Sequence, residues 1–277
     1  MILIFDTTRL LYIAMERFNS IIEEVYKTVK NIKNIIDAIR YEYWTYYDNF
    51  CDVDTKTFER LVKKCKKVCK PTTGTIYGKT YVTKRVCCMY VPNIEEAREK
   101  SKNDKNFNYT ETPLYEWCDA PKVVSDLREK IQQMSGEEID YVLVNYYRGC
   151  TEFGVGQDYI GWHNDEEALD SSVFSVSLGA TRKFQFRLID SKDVTVEYIL
   201  NNGDMLHMKG PSGKRVSCQR KYKHRVPQMN MKDLVKYAVK NNIEIPPGRK
   251  TIKNTSQAII NSEHSPDRVN LTFRTFE

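Results

Sequence analysis

The last alternating run in this chain constrains its fold more than any other feature. From Arg268 to Arg274 the sequence reads Arg-Val-Asn-Leu-Thr-Phe-Arg, apolar and polar in strict succession. Strand side chains point to opposite faces with period two. Val269, Leu271 and Phe273 therefore share one face, and Arg268, Asn270, Thr272 and Arg274 the other. On a barrel strand the apolar face packs beneath an outer layer and the polar face looks into a cavity. Two guanidiniums facing one cavity need an anion, and a dicarboxylate suits bidentate pairing. An exposed edge strand with a solvated polar face has the same pattern, so this run alone leaves both readings open.

Further short β-prone segments precede it: 141–147, 173–178, 183–188, 194–200 and 204–209, with Gly and Asn turns between them. Such spacing predicts a sandwich or barrel. Residues 71–90, rich in Thr, Tyr and Val and punctuated by Gly74 and Gly78, predict hairpins. Residues 93–120 read as polar loop, and Ala120–Ser135 as a helix stopped by Gly136. A long insertion spans 228–267; a loop of that length is usually functional or mobile. Near the N-terminus, Leu11, Met15, Phe18, Ile22, Val25, Val29, Ile32, Ile36 and Ile39 alternate in steps of four and three, a heptad stripe. Either a coiled-coil or partner-binding helix or a helix packed on its own domain satisfies that stripe. A second helix is expected over 54–70 with Thr55 as its cap. Its lysine-rich end (Lys63, Lys64, Lys66, Lys67, Lys70) reads as a solvated helix end more readily than as a phosphate contact.

Composition narrows the partners only loosely. The 277 residues carry a formal charge of +6, which permits a nucleic-acid partner without establishing one. The eight cysteines form no pair of CxxC knuckles, so a zinc ribbon is disfavoured and reduced thiols in an intracellular compartment are expected. Nucleus and cytoplasm are not distinguished. Asp6, Arg9 and Arg17 interrupt the apolar N-terminus, so no membrane partner is expected.

Only four histidines exist: His163, His207, His224 and His264. In Trp162-His163-Asn164-Asp165, an extended backbone puts His163 and Asp165 on one face, one imidazole beside one carboxylate. With a third ligand from His224, such a set leaves three octahedral positions open for a bidentate cosubstrate and O2. A zinc hydrolase uses similar ligands. His207 reads as a packed strand residue, and neither it nor His264 as a ligand.

Five ordered motifs then carry a resemblance. Asn145-Tyr146-Tyr147-Arg148-Gly149, Trp162-His163-Asn164-Asp165-Glu166-Glu167, Ser177–Phe184, His224-Arg225-Val226-Pro227 and Arg268–Arg274 resemble, in this order, the AlkB family of nucleic-acid dealkylating dioxygenases, nearest its eukaryotic-type DNA-repair branch. The likeness covers about residues 70–277. It implies an α+β fold with a double-stranded β-helix (jelly-roll) core, flanking helices, a β-hairpin nucleotide-recognition lid and an N-terminal helical extension. The boundaries expected are 1–45 for the heptad extension and 46–277 for the dioxygenase domain, with the lid near 71–118 and the catalytic core near 141–277.

The resemblance also implies roles. His163, Asp165 and His224 would hold Fe(II). Arg268 would pair with the distal carboxylate of 2-oxoglutarate, helped by Asn145, Tyr147 and Asn270, and Arg274 would buttress the inner carboxylate and Asp165. With O2 the expected reaction removes N-methyl groups of the 1-methyladenine or 3-methylcytosine type from DNA, releasing formaldehyde, succinate and CO2. Glu167 would meet the cationic base, and Tyr77, Arg85 and Tyr90 of the lid would contact the extruded nucleotide. Arg220, Lys221, Lys223 and Arg225 are available to track phosphates. The stretch between Gly149 and Trp162 and the insertion after Pro227 are longer than the family pattern, and Tyr222 stands where the family often has Trp. The same chemistry on RNA or a protein side chain, or a nucleic-acid-binding adaptor working through the N-terminal helix, are the competing readings, and residues 11–39 are available for self-association or a protein partner.

Overall fold

The structure is a computed structural model that describes residues 18, 20–30, 42–76, 79–107, 109–245, 251–262 and 264–275. The chain divides into two compact units, Met1–Tyr43 and Trp44–Glu277. In the first, residues 20–30 form helix α1, on which Ile22, Val25 and Val29 are exposed. The remaining heptad positions, Phe18 apart, lie outside the described residues.

The second unit begins with β1 (Trp44–Tyr47), α2 (Thr55–Val68), β2 (Lys70–Ile76), β3 (Lys79–Val91), α3 (Ile94–Asn103), β4 (Leu114–Glu116), α4 (Lys122–Ser135) and β5 (Tyr141–Tyr147). It continues through β6 (Cys150–Thr151), β7 (Gly154–Val155), β8 (Ile160–His163), β9 (Val173–Gly179), β10 (Arg182–Leu188), β11 (Val196–Leu200) and β12 (Met205–Met208). The last elements are α5 (Cys218–Lys221), β13 (Tyr222–Val226), α6 (Met231–Lys240), α7 (Ile252–Asn261) and β14 (Arg268–Arg274). One sheet runs β1-β12-β9-β14-β5-β3-β2 with β4 on β3; a smaller one runs β11-β10-β13-β8. Apart from the parallel β3–β4 pair, neighbours in both sheets are antiparallel. The two antiparallel sheets form a jelly-roll core within an α+β fold.

Alternation decides which face does what. Val269, Leu271 and Phe273 of β14 pack with Val142, Val144 and Tyr146 of β5 and with Leu61, Cys65, Leu127 and Ile131 of α2 and α4. Burying each such large apolar side chain contributes about 1.5–3 kcal/mol, so this layer fixes the outer face of the large sheet. The opposite face carries Asn145, Ser175, Asn270, Thr272 and Arg274, which line a cavity with His163, Phe184 and His224 of the small sheet. Trp44 ties the sheets together, stacked on Phe186 with ring centroids 4.3 Å apart.

Several local expectations need correction. The cap of α2 is Asp54, whose Oδ1 accepts from Thr57 N at 2.9 Å, and not Thr55. An aspartate one residue before the first turn satisfies a free amide and favours the positive helix end. The stretch 93–120 contains α3, capped by Asn93; its buried positions are only Ala97 and Ser101, too slight a stripe to read. The 228–267 insertion is not a bare loop. It holds α6, opened by a capping box of Asn230 and Asp233, and α7. Leu234, Ala238 and Ile259 build a satellite core with Val155 and Met229.

Candidate active site

The site is assembled at the ends of strands from both sheets. His224 on β13 lies directly opposite His163 on β8, which brings their rings to 4.1 Å between centroids. The chain leaves β8 after His163, and Asp165 follows in extended backbone before a single 3-10 turn, Glu166–Ala168. Its carboxylate therefore turns back toward both imidazoles: Oδ1 is 3.7 Å from His163 Nε2 and Oδ2 is 3.9 Å from His224 Nε2. One ligand atom from each of the three residues lies within 4.8 Å of the others, the only such His/Cys/Asp/Glu group among the described residues. Spacing of this kind suits a single shared cation.

Electrostatics set these groups in their ligating forms. Burial, then the neighbouring His163, pushes the His224 imidazole down to about 3, and burial lowers His163 too. Both rings stay neutral with a lone pair to offer. His163 Nδ1 lies 2.9 Å from Gly161 O, which directs Nε2 at the centre. Burial raises the Asp165 carboxyl, but the adjacent Arg274 guanidinium outweighs it and holds it below the usual carboxylate range. Arg274 Nη2 sits 3.0 Å from Asp165 Oδ2, and Gln219 Oε1 accepts from Asp165 N at 3.0 Å.

Beyond the triad, β14 and β5 present a polar floor. Arg268 is fully buried, donates to Ser177 Oγ at 2.9 Å and lies 5.0 Å from the Tyr147 ring. Its Nε and Nη1 have no hydrogen-bond partner. A buried guanidinium with two unmatched donors is costly unless an anion meets it. Asn270 donates to Ser175 Oγ and Val176 O, both at 2.9 Å, and Asn145 to Thr272 Oγ1 at 3.2 Å. The donor set fits a buried dicarboxylate beside a two-histidine, one-carboxylate metal site. The cavity itself measures about 170 Å³.

The lid residues separate. Arg85 reaches into the cavity, its Nε 2.6 Å from Asn145 Oδ1. Tyr90 does not: it is 1% exposed and packs against Tyr115 and Trp117 in the main core. Five positions apart on β3, Arg85 and Tyr90 necessarily face opposite sides, so Tyr90 is withdrawn as a nucleotide contact. Tyr77 lies outside the described residues. Glu167 lines the cavity, and its Oε1 is engaged by Arg274 Nη1 and by the Tyr109 hydroxyl; burial raises its carboxyl. Of the basic cluster around His224, Arg220 is paired with Asp170, while Arg225 lies 4.4 Å from the Trp162 ring, which Arg187 also approaches at 4.6 Å.

Tyr109 and Gln219 were missed from the sequence. Neither belongs to a motif, and each enters the site from a distant segment, so only the fold could reveal them.

A jelly roll with a two-histidine, one-carboxylate triad and a buried arginine beneath it is the architecture of a metal-dependent oxygenase. The 2OG-Fe(II) oxygenase superfamily profile matches residues 45–274, and the chain belongs to that superfamily. Its cofactors are accordingly Fe(II), 2-oxoglutarate and O2. Curated relatives match a shorter stretch of the chain. The chain is 35% identical over 100 residues to the DNA oxidative demethylase ALKBH2 of Bos taurus, 37% over 101 to that of Mus musculus and 34% over 101 to that of Homo sapiens. Each match covers 32% of this chain and only 34–39% of the relative. Among solved structures, OsALKBH1 aligns over 84% of this chain and 97% of its own, at 20% identity and TM-score 0.47. A 2OG-Fe(II) oxygenase family oxidoreductase from Burkholderia pseudomallei aligns over 87% and 89%, at 11% and 0.39. Neither likeness bears weight at those scores.

Proposed function

We propose that this chain is a dioxygenase that oxidatively demethylates N-alkylated bases, of the 1-methyladenine and 3-methylcytosine type, in DNA. The observation that carries the oxygenase reading is the unsatisfied Arg268 guanidinium, buried on the β14 face whose Asn270, Thr272 and Arg274 line the cavity with His163, Asp165 and His224. The curated relatives, named as DNA oxidative demethylases, support the substrate.

The three ligands would hold Fe(II), which with 2-oxoglutarate and O2 supplies oxidation of a C–H bond adjacent to nitrogen. Arg268, with Tyr147 and Asn270 nearby, would take the distal carboxylate of the cosubstrate. Arg274 keeps Asp165 ionised and oriented through its 3.0 Å contact. Arg85 holds Asn145 in place from the lid side. Glu167 is poised at the cavity wall, and exchanging part of its contact with Arg274 for a cationic base would favour alkylated over neutral bases. The hydroxymethyl product on nitrogen collapses to formaldehyde without a protein nucleophile. All eight cysteines are free. No described helix is long and apolar enough to cross a membrane.

The test is formaldehyde and succinate release from oligonucleotides bearing 1-methyladenine or 3-methylcytosine, in DNA and RNA forms side by side. DNA turnover that disappears in Asp165→Ala is the expected result. Turnover of 2-oxoglutarate with neither nucleic acid dealkylated would move the substrate elsewhere; activity confined to RNA would reassign it.

A further inference from the structure

The two features that the oxygenase site leaves unused, the lysine-rich α2 and the α6–α7 insertion, face each other across a second and larger cleft. It measures about 820 Å³, within the range of ligand pockets of roughly 300–1,000 Å³. Its walls are α2, the β9–β10 turn, α6 and the segment leading into β14.

The charge of this cleft is one-sided. Six cationic side chains line it against three acidic ones. Asp267 is met by Lys66 at 3.9 Å and by the Tyr146 hydroxyl, and Asp233 by Lys183 at 3.2 Å. Lys63 on one wall and Lys236 and Lys240 on the other are exposed, and Glu59 is the one remaining acidic side chain among the described residues that line the cleft. At the cleft base Arg182 is 3% exposed, and its Nη1 has no partner. Between the lysines lie half-buried Phe58 and Tyr237. A monoanion would leave most of this charge uncompensated, whereas a flat ligand bearing a chain of phosphates matches both the cations and the aromatic surfaces.

We propose that this cleft is a second ligand site, distinct from the iron site, for a nucleoside polyphosphate. Lys63, Lys236 and Lys240 take the phosphates, and Phe58 and Tyr237 flank the base. Occupancy would reach the cosubstrate floor through a short relay: the Arg182 guanidinium lies 5.6 Å from the Tyr147 ring, and Arg268 lies 5.0 Å from the same ring. That coupling rests on the cosubstrate role given to Arg268 above; the binding itself does not.

The test uses the full chain and ATP as the probe in isothermal titration, with tripolyphosphate and a ten-nucleotide oligothymidylate as parallel arms. The expected result is 1:1 ATP binding, at least about tenfold tighter than tripolyphosphate. It should be weakened at least about tenfold in K236E/K240E and in K63E, whose melting temperatures and 2-oxoglutarate turnover stay near the parent's. Absence of ATP binding, equal binding of tripolyphosphate, preference for the oligonucleotide, or charge-reversed variants that bind normally would each overturn the proposal. Loss of 2-oxoglutarate turnover in the parent would count against the oxygenase assignment while leaving ATP binding separately readable.

Discussion

Asp165 is held from two directions, by Arg274 on its carboxylate and by Gln219 on its amide. Outer contacts of this kind commonly tune metal affinity by about 10–100-fold. Gln219→Leu should therefore weaken Fe(II) binding at least about tenfold, measured by anaerobic titration, with the circular dichroism spectrum unchanged. Unaltered affinity would mean that Arg274 alone orients the carboxylate. Arg268→Lys makes the complementary case. A single ammonium cannot reproduce the planar fork, so the KM for 2-oxoglutarate should rise about 10–100-fold, the equivalent of about 1.5–3 kcal/mol for a charged hydrogen bond. Iron affinity should not move, and a parallel loss of it would show that Arg268 serves the fold instead.

Strand alternation and turn geometry place these residues, so changes to either should be felt as stability before chemistry. Gly179 closes β9 at φ +87°, where an added Cβ would overlap the Phe58 ring and stand 2.6 Å from Asp267 O. Gly179→Ala should cost about 2–5 kcal/mol from combined backbone strain and overpacking, read as a lower denaturation midpoint. A neutral effect would mean that the turn repacks freely. On β3 the two faces should separate experimentally. Tyr90→Phe is expected to leave KM for an alkylated oligonucleotide unchanged, since the ring is sealed in the core. Arg85→Ala should raise it, because that side chain lines the cavity. The reverse outcome would restore Tyr90 to the nucleotide site.

Across the whole molecule, pH acts through imidazoles partly withdrawn from water. His207 on β12 is pushed down to about 4 by burial, then by Lys209 and Arg215, and stacks on Phe174. An unfolded histidine titrates near 6.5, so between these values the unfolded chain binds a proton that the folded chain refuses. Stability is fully present above about 6.5 and falls as the pH drops toward 4, by at most about 1.4 kcal/mol per unit for this one group. His207→Phe should flatten the slope of unfolding free energy between pH 6.5 and 4.5 in denaturant titrations; an unchanged slope would assign it to other groups. The legible part of this protein follows from short-range pattern. Period-two alternation in Arg268–Arg274 specified which side chains share a face, and His163 with Asp165 announced a shared face by spacing alone. Residues whose role depends on long-range approach carried no such mark. Tyr109 meets Arg274 and Glu167 across 165 and 58 positions, and Gln219 reaches Asp165 across 54. The chemistry of Tyr90 fits a lid, while its parity on β3 puts it in the core. The alternating C-terminal strand could by itself have been an exposed edge. Only pairing β14 between β5 and β9, with helices over one face and the small sheet across the other, buried its arginines and turned a pattern into a site, because burial is a property of neighbours that no local sequence contains.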